Sequence, residues 1–255
     1  MNLSRSLPLV AAALCLAACA PDAPTESTAA PVAMELGPTL LAYHWRLESA
    51  ADSAGESIAA LFPGPENRLG LEFSDGGRLG VTGGCNRMMA AYQVVDAARL
   101  QLVPGPTTMM ACPPPLAAAD AAIAGFLTGT VQAELQGDAG APVLRLAGAD
   151  GSVLDFKGTP TPETRFGGPG TRAFLEVSPE PCEPPGSAPA CLKVRDRQFD
   201  EQGLPVGEPG EWRALPGGIE GYSPAPGQQQ VVRVKRFEAP EHYVFDMVVE
   251  SRTAQ

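Results

Sequence analysis

At roughly 150 residues per domain, the 255-residue chain has room for two modest domains rather than one large core. Hydrophobic residues make up 44% and charged residues 18%, a globular balance that excludes wholesale disorder and a polytopic membrane protein. A net charge of -11 with no basic tail repels a phosphate backbone, so nucleic acid is excluded as a partner. With 28 glycines and 27 prolines to break helices and punctuate short strands, the predicted fold class is mostly β, in two small modules.

The first element is an address. Arg5 precedes an apolar run from Leu7 to Ala20, too short at 1.5 Å per residue to cross a hydrocarbon core of about 30 Å. Residues 1–18 read as a secretory signal. The stretch ends in Leu16-Ala17-Ala18-Cys19, which resembles the bacterial lipobox, in which cleavage leaves the cysteine N-terminal and acylated. Cys19 is therefore the expected lipidation site and membrane anchor, each buried methylene adding about 0.8 kcal/mol. Ala20 stands where an Asp usually retains lipoproteins in an inner membrane, so the expected location is the outer membrane with the domains in the periplasm. An ordinary secretory signal with no acylation is the competing reading.

Residues 19–37, with Pro21, Pro24 and Pro31 and no periodicity, read as a flexible tether. The first module is expected over residues 38–158. Its strands are signalled by Trp45-Arg46-Leu47 and by the alternation of Leu69, Leu71 and Phe73. Ser74-Asp75-Gly76-Gly77 turns that second strand into Arg78-Leu79-Gly80-Val81 as a hairpin. Strands follow at Leu100 to Leu102 and at Val131 to Leu135, and a last pair, 144–146 and 154–156, is turned by Ala149 to Ser152. Between them, Leu116 to Leu127 is Ala-rich and places Leu116, Ala119, Ile123 and Phe126 near one face, a helix opened by Pro113-Pro114-Pro115. Residues 159–171 are dense in Gly and Pro and read as a linker between modules. Strand patterns resume in residues 172–255, at 174–177, 191–195, 231–235 and 243–249, giving a second β-rich module.

Of the six cysteines, Cys15 leaves with the signal and Cys19 carries lipid. Cys85, Cys112, Cys182 and Cys191 remain, and the linker separates them two and two. That favours disulfides Cys85–Cys112 and Cys182–Cys191, each stapling its own module at roughly 2.5–3.5 kcal/mol on the chain-entropy model. A four-thiolate zinc site is the competing use; it lacks a Cys-x-x-Cys knuckle and would have to bridge both modules.

The stretch Gly83-Gly84-Cys85-Asn86-Arg87, followed by Tyr92, Leu100 and Thr107-Thr108-Met109-Met110-Ala111-Cys112, with Trp45-Arg46-Leu47 upstream, resembles the META domain of HslJ-type heat-inducible envelope proteins. The resemblance covers about residues 38–158 and implies a compact antiparallel β-barrel or cone with one helix. Residues beyond 172, with Trp212, Ile219-Glu220-Gly221-Tyr222 and Arg233-Val234-Lys235, look like the uncharacterised module often fused after META domains in bacterial lipoproteins. Met88-Met89 stands where the family commonly has aromatic residues; flexible thioethers can fill the same core space.

No nucleophile elbow, zinc-binding helix or phosphate loop is present, and the two histidines, His44 and His242, fall one in each module. Neither a metal nor another cofactor is expected, and no enzymatic activity. Asn86 and Arg87 follow a Gly-Gly turn and are the candidates for structuring the loop or facing a ligand. Arg195, Arg197, Arg233, Lys235 and Arg236 alternate with apolar residues, which suits a solvated strand face ahead of an anion-binding surface. An enzymatic alternative would need a carboxylate pair such as Asp150 and Asp155. The function expected is that of a lipid-anchored envelope protein acting by interaction or assembly in stress tolerance. Its partners are the membrane and an unidentified envelope protein. The alternative is a hydrophobic ligand held in the barrel, as the resemblance to lipid-binding pilot lipoproteins implies.

Overall fold

The structure is a computed structural model that describes residues 34–65, 67–182, 191–238 and 240–253. The signal, Cys15, Cys19 and the tether as far as residue 33 lie outside the described residues. Chain order begins with α1 (Leu36–Ala42), β1 (Tyr43–Ala51), β2 (Gly70–Ser74), β3 (Arg78–Thr82), β4 (Met88–Asp96) and β5 (Arg99–Thr107). It continues through α2 (Pro114–Phe126), β6 (Gly129–Gln136), β7 (Val143–Ala147) and β8 (Val153–Pro160).

These eight strands pair antiparallel in sequence order, and β8 returns to β1 with Leu47 opposite Phe156, closing a barrel. Closure removes the open edges that a sheet of this size would expose. At eight strands the inside is just wide enough for side chains to fill it. The alternating residues do so: Trp45, Leu71, Leu79, Leu100, Leu144 and Phe156 are all buried to within 1% of full. The predicted hairpin forms, with Ser74 opposite Arg78 and positive φ at Gly76 and Gly77.

Each end of the barrel is served by a helix whose sequence suits it. α1 buries Leu36 and Leu40, and its Leu40 carbonyl accepts the buried Trp45 indole N–H at 3.1 Å. An indole donor left without a partner there would cost about 1–3 kcal/mol. α2 begins with Pro114 and Pro115 in its first turn, where a missing N–H costs nothing. Its buried positions, Ala119 and Ile123, continue to Leu127 at four-residue spacing.

Residues 159–171, read as a linker between the modules, are largely structured. β8 runs to Pro160, and Pro162–Phe166 forms a short helix, α3, capped by the Thr161 hydroxyl, which accepts the Thr164 N–H at 3.3 Å. Pro162 initiates a helix instead of breaking one, because its fixed φ suits the first helical position. Gly167 ends it in the left-handed conformation. α3 also ties the two β structures together. The Thr164 hydroxyl donates to the Ala42 carbonyl at 2.7 Å, the Arg165 guanidinium pairs with Glu220, and Phe166 stacks on Phe237 and His242 at 4.7 Å each.

The second sheet holds β9 (Thr171–Pro181), β10 (Leu192–Phe199), β11 (Pro205–Val206), β12 (Arg213–Leu215), β13 (Gln228–Glu238) and β14 (Glu241–Thr253). Its order is β11-β10-β9-β13-β14, with β12 also on β10, all antiparallel. One face packs around Leu175, Val177, Val194, Val232, Val234 and Tyr243. Glu176 belongs to the opposite face.

Candidate functional site

The Gly-Cys-Asn segment links β3 to β4 and sits against α2. Gly83 has φ of +117°, and a Cβ there would lie 2.5 Å from the Leu69 backbone, so only glycine lets the two chains approach this closely. A disulfide joins Cys85 to Cys112, pinning this loop to the β5–α2 connection. Between the two sits Asp120 of α2. One of its oxygens accepts the Cys85 N–H at 3.0 Å and the Asn86 N–H at 3.2 Å; the other accepts the Asn86 side-chain amide at 2.8 Å.

Asn86 completes the network on its other side. Its carbonyl oxygen accepts the Thr108 hydroxyl at 3.0 Å and the Met110 N–H at 2.8 Å. The Thr108 hydroxyl in turn accepts the Arg87 N–H at 3.0 Å. The side chains of Thr108 and Cys112 thus turn inward on the clasp together with the main chain of Met110. Met109 points out, 96% exposed. Met110 is exposed on the same loop, and Met89 and Val103 are exposed on β4 and β5.

Of the sequence candidates, Asn86 is held in the clasp, and the Arg87 side chain is exposed while its backbone is bonded to Thr108. Met88 is buried, as a core thioether should be, but Met89 faces outward. Cys182 and Cys191 are disulfide-bonded. With both thiols of each pair oxidised, the four-thiolate zinc arrangement is not formed. His44 lies 3.8 Å from Glu72 and His242 bonds Glu220 at 2.8 Å, so the two histidines serve different carboxylates. Asp155 is held below the usual carboxylate range by hydrogen bonds from Arg145, and Asp150 by those from Ser152, opposite to the direction a general acid needs.

Three of the basic residues on the second sheet keep partly solvated positions, each paired with a carboxylate. Arg233 pairs with Asp246, Lys235 with Glu163 and Arg236 with Glu241. Arg195 and Arg197 instead converge on Glu176, whose side chain is fully buried. Cross-strand register explains it, since Arg195 lies opposite Glu176 and alternation brings Arg197 to the same face. Neither Glu176 nor Asp120 was singled out in the sequence. Asp120 had a signal, being the one charged residue of the thirteen in α2.

Burial alone would raise the Glu176 and Glu163 carboxyls, but hydrogen bonds from Arg195 and Arg197 in the first case and Lys235 in the second hold both below their ordinary values. The Arg165 hydrogen bonds lower Glu220 in the same way. A carboxyl depressed in the folded state stabilises it above the unfolded pKa, near 4.3, and that contribution is lost as pH falls through the folded value. The urea midpoint is therefore expected to hold steady between about pH 5 and 7 and to fall steeply below about pH 4.5. A midpoint that rises with acidification would contradict these pairings.

The fold and clasp together define a small disulfide-stapled antiparallel β-barrel, filled by its own side chains and presenting its distinctive residues on the rim. Residues 38–161 match the family model for the META domain. Among solved structures, the chain is similar to the NMR structure of a protein from Burkholderia xenovorans, at 24% identity and a TM-score of 0.39 over 55% of this chain and 98% of that one. No curated protein matches.

Proposed function

We propose that this is a stress-related envelope lipoprotein, anchored through Cys19, that acts without catalysis by docking an envelope protein on the rim of its META barrel. The META domain supports the stress-related envelope setting, and the lipobox-like Leu16-Ala17-Ala18-Cys19 supports the anchor. The observation that carries the docking role is the exposure of Met109 and Met110 on a loop held by the Asn86–Asp120 network and the Cys85–Cys112 disulfide, with Met89 and Val103 exposed on β4 and β5. Exposed methionines on a rigid frame adapt to a partner's shape at little ordering cost. The filled interior leaves the rim as the place for contact.

A second reading rests on a cleft of about 470 Å³ between α2 and the barrel, lined by Ile58, Leu61, Ala122, Phe126, Val131 and Leu154. Its size and lining suit an apolar ligand. One experiment separates the two: a photo-crosslinking residue in place of Met109, in cells fed labelled palmitate. The expected result is a palmitate-labelled chain crosslinked to one protein, with the label lost in Cys19→Ala. Labelling that survives Cys19→Ala ends the anchor, and the absence of a protein adduct ends the docking role; a lipid-sized adduct from the same crosslinker placed at Phe126 favours the second reading.

A further inference from the structure

The outward face of the second sheet carries an arrangement that neither the barrel nor the docking role uses. Glu176 lies at its centre with no exposed side-chain surface. One oxygen accepts from Arg195 at 2.8 Å and Arg197 at 2.9 Å; the other accepts from Arg252 at 3.0 Å and from the Gln229 amide. Four donors thus occupy both oxygens, while the remaining N–H groups of three guanidinia have no acceptor on this carboxylate. Arg195 lies 4.5 Å from the centre of the Trp212 ring and Arg197 5.8 Å from that of Phe199, so aromatic surface flanks the cationic centre.

The surrounding charges do not balance it. Lys193 is taken by Glu180, and Arg233 by Asp246. Glu250 follows Val231 along the line of register from Glu176, and counting it still leaves, among the described residues, three guanidinia against two carboxylates. Withdrawing Arg197 to 13% exposure and Glu176 completely costs desolvation, and apolar residues of the same volume commonly serve stability as well or better. Stability alone therefore does not account for the cluster. A donor-rich, net-positive centre with one exposed arm, Arg252 at 55% exposure, has the form of a site for an oxyanion.

We propose that this face binds a phosphoryl group, with Arg252 as the arm that closes on it, Arg195 and Arg197 as the fixed donors, and Glu176 as the internal counter-charge that holds them in place. A free phosphate and a phospholipid headgroup share that chemistry. The test uses the chain with Cys19→Ser, so that acylation does not contribute, titrated calorimetrically with inorganic phosphate and floated with phosphatidylglycerol or phosphatidylcholine vesicles at low salt. Binding to phosphate assigns a free phosphoryl ligand, and flotation with the anionic vesicles alone assigns a headgroup.

In either case Arg252→Ala, a substitution at an exposed position, is expected to weaken binding about tenfold, the scale of one charge-assisted hydrogen bond. Glu176→Gln, checked for folding by circular dichroism, is expected to tighten it by removing the competing carboxylate. A purely structural Glu176 would give no such gain. No binding to either probe at millimolar concentration, equal flotation with both vesicles, or an affinity unchanged in Arg252→Ala would each overturn the proposal.

Discussion

Asp120→Ala is expected to destabilise the barrel by about 3 kcal/mol, measured as the loss of urea-unfolding free energy with both disulfides intact. The carboxylate serves three donors, the Cys85 and Asn86 N–H groups and the Asn86 side-chain amide, in a part-buried loop. Each donor stripped of its acceptor costs about 1–3 kcal/mol, and water that enters the vacated space recovers some of it. Asp120→Asn is expected to fall between, because its amide end presents a donor to donors. A loss below about 0.5 kcal/mol in Asp120→Ala, the range of an ordinary surface change, would show that the disulfide holds the loop without the carboxylate.

Gly83→Ala is expected to cost at least as much, for a different reason. The residue sits at φ of +117°, and its new Cβ would meet the Leu69 backbone at 2.5 Å, a contact that no side-chain rotation relieves. The β2 and β3 backbones must part locally, and about 3 kcal/mol or more of stability is expected to go with them. Gly76→Ala is the control. It has φ of +76° with nothing within 4 Å of the new carbon, so only the left-handed penalty of about 1–2 kcal/mol applies. Equal melting temperatures for the two variants would mean that conformational preference, and not close approach, explains Gly83.

These variants bear on why the motif has its form. Gly83 permits the approach to Leu69, and a Cβ at Gly84 would lie 1.8 Å from the Asp120 oxygen. Cys85 and Asn86 then reach across to Cys112 and Asp120. In Thr108-Met109-Met110-Ala111-Cys112, alternate residues join the clasp while Met109 is turned to solvent. The spacing that marks the family in sequence is therefore the spacing of a loop locked at every second residue.

Most of the barrel was legible because its strands obey a strict inside–outside alternation: Leu69-Leu71-Phe73 and Leu144-Leu146 repeat at two, and the α2 face repeats near four. β4 was not, since only Met88 and Ala90 of its nine residues are buried and its outward positions include Met89, Val94 and Val95. α1 and α3 were hidden by Pro38 and Pro162, which read as breakers until burial of Leu36 and Leu40 in the first case and the Thr161 cap in the second turn them into first-turn residues. Both disulfide pairings followed from the division of the cysteines between two modules, and both are formed.

What the sequence by itself determined is whatever depends on local order: the mostly β class, the helix after Pro113, the cysteine pairs and the META motif. Only the tertiary structure decided which polar residues meet. Asp120 is 34 residues from Asn86, and Arg252 is 76 from Glu176. Strand order and register bring such partners together, and neither is written in any single stretch of chain. A carboxylate's neighbours, and with them its charge and its use, are set by the closure of the barrel and the pairing of the second sheet.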